Sequence, residues 1–65
     1  MQAWDSPVEL GDIVTRTGTD RLRIVGIYQG CDEITVEELI SAGGDPIPPG
    51  LFYDLLWFDV AKVPR

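Results

Sequence analysis

A chain of 65 residues with one cysteine and no histidine is long enough for a single domain with a thin core, because a domain of this size buries only about 60 % of the surface its unfolded chain exposes. The lone Cys31 excludes an internal disulfide framework, the absence of histidine removes the commonest metal ligand and general base, and a reducing, cytoplasmic setting is expected. A net charge of −6 opposes long-range attraction to a phosphate backbone, which makes nucleic acid a poor first candidate for a partner.

Residues 1–10 mix proline, acidic and single apolar residues without periodicity and read as an irregular arm, with Trp4 and Val8 packing back onto the body. No cationic stretch there leads into an apolar run, and no segment approaches the roughly 18 consecutive apolar residues of a membrane span, so neither a leader nor a membrane contact is expected. After Gly11 and Asp12, the run IVTRT has the β-branched content of a strand. The TGTD that follows supplies a hairpin turn, with Gly18 at a positive-φ position and Asp20 making an Asx-type bond.

In the second strand, Leu22, Ile24, Gly26 and Tyr28 fall on one face by period-2 alternation, with Arg23, Val25 and Ile27 on the other. Gly26 interrupts the pattern and marks a bulge or bend where a sheet curls. QGCDE is then a turn. In ITVEELISAGG, alternation of Ile34, Val36 and Glu38 predicts a strand, while Thr35 with Glu38 also fits a helix capping box. The hairpin pattern before it favours a strand through Glu37 or Glu38, followed by a helical turn.

Three prolines and three glycines in residues 41–50 exclude a regular element and predict a long connecting loop, of the kind that is usually functional or mobile. LFYDLLWFDV returns to a strand, with Leu56, Phe58 and Val60 assigned to the core face and Leu55, Trp57 and Asp59 to the other. AKVPR closes the chain as a short strand or a single 3₁₀ turn.

Four to five short strands, the Gly11-Asp12 opening, an early hairpin and a late strand near a 3₁₀ turn together resemble the SH3-like small barrels. Within that group, GDIVTRTGTDRLRIVGI followed by GCDEITVEE is similar to a set of small phage and prophage proteins of unknown function. The likeness covers roughly residues 10–38. It implies a single SH3-like antiparallel barrel over residues 1–65 and a mobile-element origin, and it carries over no catalytic residue.

The candidate chemistry is sparse. Cys31 sits beside Asp32 and Glu33, whose negative charge raises a thiol pKa and disfavours a nucleophilic role; no catalytic residue and no cofactor are expected. Asp32, Glu33, Glu37 and Glu38 offer oxygen ligands for Ca²⁺ or Mg²⁺ but match no EF-hand spacing. They are better read as an acidic surface that blunts strand association, so no metal is expected. Arg16, Arg21 and Arg23 are candidate phosphate contacts, with ordinary pairing to Asp12 or Asp20 the preferred reading.

The sharper feature is apolar: one alternating strand cannot turn all of Leu51 to Phe58 inward. Tyr53, Leu55 and Trp57 are the expected outward contact residues, flanked by Phe52 and Ile47, because exposed aromatic clusters form the cores of protein interfaces. The expected function is therefore that of a non-enzymatic module binding a protein partner or a second copy. The alternatives are an acidic decoy for a nucleic-acid-binding or defence protein and a nucleic-acid-binding barrel.

Overall fold

A computed structural model describes residues 8–64 of the chain; the expected packing of Trp4 falls outside them. Five strands, β1 (Ile13–Thr15), β2 (Arg21–Tyr28), β3 (Glu33–Ile40), β4 (Phe52–Leu56) and β5 (Ala61–Lys62), are joined in part by 3₁₀ turns at Gln29–Cys31 and Trp57–Asp59. They form one antiparallel sheet in the order β4-β3-β2-β1-β5. The sheet is not closed: after the turn at Trp57–Asp59 the chain pairs with β1 and not with β4, leaving β4 and β5 as edges. Among the described residues no helix is long and apolar enough to cross a membrane.

The core is a cluster of Val8, Val14, Leu22, Ile24, Ile34 and Val36, against which Ile27, Tyr53, Leu55, Trp57 and Val60 pack. Each fully buried aliphatic side chain stabilises by about 1.5–3 kcal/mol relative to exposure. In so small a domain the six β-branched and leucine side chains carry much of the fold. β3 runs to Ile40 as a strand, beyond the expected end at Glu38, and no helical turn follows it. Leu22 opposite Glu38 and Arg21 opposite Ile40 carry the cross-strand ladder through and past the capping-box residues, so pairing overrides the local helical signal.

The expected bulge at Gly26 is present as a register shift between Ile24 and Gly26. Its effect corrects the face assignment in β2. The extra residue, Val25, reverses the alternation beyond it, so Gly26 pairs with Thr35 and Ile27 with the buried Ile34, and Ile27 joins the core while Tyr28 stays exposed. The ring of Tyr28 folds back along the outer face: a Cβ on Gly26 would meet its hydroxyl at 3.0 Å, so a larger residue there would push the ring aside by a few tenths of an ångström.

Two buried carboxylates hold the ends of β1. Gly11, at φ +87°, turns the chain so that its amide donates to the Ile24 carbonyl at 2.8 Å. Asp12, 3 % exposed, accepts the Glu9 amide at 2.8 Å and lies 3.3 Å from Lys62 Nζ, joining the chain before β1 to β5. At the other end Asp20, 1 % exposed, accepts at a single oxygen, Oδ1, the amides of Arg16 (2.9 Å) and Thr17 (3.0 Å) and the hydroxyls of Thr15 (2.5 Å) and Thr17 (3.0 Å). The Asp20 bonds thus run backwards into the loop, with Gly18 supplying the positive φ.

Burial alone would raise the Asp20 pKa, but the hydrogen bonds from Thr15, Thr17 and Arg16 overcome it and hold the carboxyl down at about 2. A folded pKa below the unfolded value of 3.8 stabilises above that value and loses its contribution as pH falls through the folded pKa. The shift corresponds to about 2 kcal/mol. Urea unfolding of Asp20→Asn should therefore show a loss of about 2 kcal/mol at neutral pH, with the gap to wild type narrowing between about pH 4 and pH 2. A gap that stays constant across that window would show that the charge of Asp20 contributes nothing.

A candidate protein-interaction surface

The β3–β4 register places Ile34 opposite Leu55 and Val36 opposite Tyr53. Both partners in β3 are fully buried, so Tyr53 and Leu55 face the core; Trp57, just past the strand, packs against it as well. This corrects the expectation that Tyr53, Leu55 and Trp57 face outward and that Leu56 and Phe58 fill the core. Leu56 and Phe58 are exposed, Phe58 to 57 % and Phe52 to 53 %. Only Val60 of the expected core face packs inward.

The inward residues are further tied by polar bonds. Tyr53 donates its hydroxyl to Glu38 Oε1 at 2.9 Å and accepts Arg16 Nη2 at 3.3 Å, while the Arg16 guanidinium lies 5.3 Å from the ring centroid. Burial, then the bond to Glu38, pushes the Tyr53 phenol pKa up. Trp57 donates its amide to the Asp32 carbonyl at 3.0 Å and its indole N–H to Asp32 Oδ1 at 3.3 Å, and meets Phe58 edge to face at 5.6 Å. Asp32 adopts φ 59° to receive both.

The outer face carries three cross-strand rows from β2 to β4: Arg23, Glu37 and Phe52; Gly26, Thr35 and Asp54; Tyr28, Glu33 and Leu56. Arg23 Nη2 reaches Glu37 Oε1 at 2.6 Å, and this bond holds the Glu37 pKa below its usual range against the burial that raises it. Thr35 donates to Asp54 Oδ1 at 2.6 Å, with the Tyr28 hydroxyl 3.5 Å from the Thr35 oxygen. Phe52, Leu56, Phe58 and Tyr28 are left as exposed apolar side chains on or beside this face, with Leu51 preceding it.

The remaining candidate residues are dispersed. Ile47 is half-buried and donates its amide to the Leu39 carbonyl at 2.9 Å, and Pro46 forms a bridge with Ile40. The 41–50 segment is thus partly fastened to β3, through a turn in which Ser41 and Asp45 exchange bonds. Glu37 and Glu38 lie on opposite faces, and among the described residues no group of three or more metal-ligating side chains forms. Arg16 reaches Asp20 Oδ2 at 3.8 Å, and Arg21 donates to the carbonyls of Gly18 (3.1 Å) and Asp20 (2.7 Å). Asp12 pairs with Lys62 instead of an arginine. The Cys31 thiol donates to Glu33 at 3.4 Å, an interaction that raises its pKa.

A sequence signal for the outward set existed. Both phases of LFYDLLWF are apolar, but the even phase contains Asp54, and a carboxylate in mid-strand marks the solvent side. The chain matches no protein-family model, no curated protein and no solved structure.

The adjacent leucines test the assignment. Leu55→Ala should lower the unfolding free energy by about 2 kcal/mol, as a core truncation does, and Leu56→Ala by about 0.5 kcal/mol or less. Chemical denaturation giving the reverse order would place the opposite face of β4 against the core.

Proposed function

We propose that the protein is a non-enzymatic module that binds another protein through the outer face of β4, with Phe52, Leu56 and Phe58 as the apolar contacts and Tyr28 beside them. The observation that carries this reading is the exposure of three large apolar side chains on one short edge strand and the turn that follows it. Large aromatic side chains bury much area at low entropic cost, and exposed clusters of them are favoured at interface centres. Tyr53, Leu55 and Trp57 act behind this surface by fixing β4 to the core.

Five antiparallel strands with a 3₁₀ turn between the last two support an SH3-like reading of the fold, as an open sheet in place of a closed barrel. The similarity of GDIVTRTGTD to phage and prophage proteins supports a mobile-element origin and, with it, action in a host cytoplasm. A second reading, an acidic decoy for a nucleic-acid-binding or defence protein, draws on the charge: residues 24–61 contain no lysine or arginine.

The test is affinity capture from host extract with the wild type, with Phe52→Ser/Phe58→Ser and with Glu33→Gln/Asp59→Asn. The aromatic double variant should keep its fold and lose the captured protein, while the charge variant keeps it. Loss in the charge variant alone supports the decoy reading. Capture unchanged in both variants contradicts a contact on this surface.

A further inference from the structure

The two edges of the sheet are built differently. β5 contains two residues, ends in Lys62 and is followed within two positions by Pro64, the features that stop a strand from recruiting another. β4 contains five residues, about 17 Å of strand, with no proline, glycine, lysine or bulge. Only Asp54 interrupts its apolar character.

The direction of the β4 backbone groups follows from the bonds at its ends. Glu38 donates its amide to the Leu51 carbonyl at 2.9 Å, and the Trp57 amide donates to the Asp32 carbonyl at 3.0 Å. In an antiparallel ladder every second residue exchanges bonds with its neighbour. Leu51, Tyr53, Leu55 and Trp57 therefore point their amides and carbonyls at β3, and Phe52, Asp54 and Leu56 point theirs away from it. No backbone bond from the described residues reaches the groups of these three, since β4 pairs with β3 alone. The residues with open backbone groups are also those whose side chains form the outer face.

We infer that this edge takes an extended, basic segment of a partner protein as a sixth strand, by backbone pairing to Phe52, Asp54 and Leu56. The inference rests on the protein-binding reading above and specifies the chemistry of the partner. A second copy of the chain is disfavoured: in the two-fold antiparallel register with full overlap, Asp54 would stand directly opposite Asp54, and like charges so placed destabilise a strand pair. No cation within residues 24–61 relieves that repulsion: Lys62, the nearest in sequence, lies on the opposite edge of the sheet 3.3 Å from Asp12, and Arg23 is held by Glu37. A lysine or arginine opposite Asp54 meets an unneutralised carboxylate, with Glu33 and Asp59 nearby along the chain and the sheet. Apolar residues two positions to either side would lie against Phe52 and Leu56. The recognised pattern is apolar, any, basic, any, apolar, in an extended conformation.

The probe is a blocked peptide, Thr-Val-Thr-Lys-Thr-Val-Thr, added to the isotope-labelled full chain and followed by amide NMR. The amides of Phe52, Asp54 and Leu56 should shift and exchange more slowly with solvent, and those of Tyr53 and Leu55 should keep their existing protection. Binding should weaken by about tenfold when the central lysine is replaced by glutamate and should decline between about 50 and 500 mM salt. Asp54→Asn, which keeps the bond from Thr35, should remove most of the lysine-over-glutamate preference. Edge amides that do not respond to the lysine peptide, or respond equally to the glutamate peptide, overturn the inference. Protection that grows with protein concentration alone overturns it in favour of a second copy. If the side chains of Phe52, Phe58 and Tyr28 respond while the three amides stay exchangeable, edge pairing fails and binding by the face stands.

Discussion

The pairing of β3 with β4 is the constraint on which both the core and the candidate surface depend. β3 contributes Ile34 and Val36, each with no exposed surface, and these set Leu55 and Tyr53 inward opposite them. Side-chain direction in a strand has a period of two, so a slip of one residue would exchange the whole inward set for the outward one. With the observed register, Phe52, Asp54 and Leu56 present their side chains to the outer face and their backbone groups to the edge. The contact surface is therefore a consequence of how the core is satisfied.

The other half of the sheet is secured by polar groups. β1 has three residues and buries only Val14, too little to hold it by apolar area alone. Asp12 and Asp20, one at each end, compensate by gathering backbone amides, hydroxyls and a lysine around buried oxygens that are costly to leave unpaired. The Gly11-Asp12 pair and the run Thr15 to Asp20 thus have a structural use. Arg16, Arg23 and Arg21 are held by internal partners at Tyr53, Glu37 and two carbonyls respectively, which leaves the apolar outer face of β4 as the better candidate for a contact.

Much of the scaffold was legible in the sequence. The strands around Val14, Leu22, Ile34 and Tyr53, the turn at Gly18 and the bulge at Gly26 follow from β-branched content, alternation and glycine placement. What the bulge does to Ile27 was not legible without locating the extra residue at Val25, because counting straight through a bulge inverts every later side chain. The orientation of β4 was ambiguous for a related reason: two apolar phases alternate there, and only Asp54 distinguishes them. The length of β3 depended on tertiary pairing with Leu22 and Arg21, which overrode the capping-box pattern at Thr35 and Glu38. The segment 41–50 had the composition of a free loop, yet the Pro46 bridge and the Ile47 amide bind it to the end of β3.

The register can be read directly from cross-strand Hα–Hα nuclear Overhauser contacts, which are strongest at the closely spaced, non-hydrogen-bonded pairs of an antiparallel ladder, where Cα atoms lie about 4.5 Å apart. The observed register requires strong contacts between Glu33 and Leu56, Thr35 and Asp54, and Glu37 and Phe52. Strong contacts from these β3 residues to Leu55 and Tyr53 would reverse the faces of β4 and contradict both the core and the surface described for this protein.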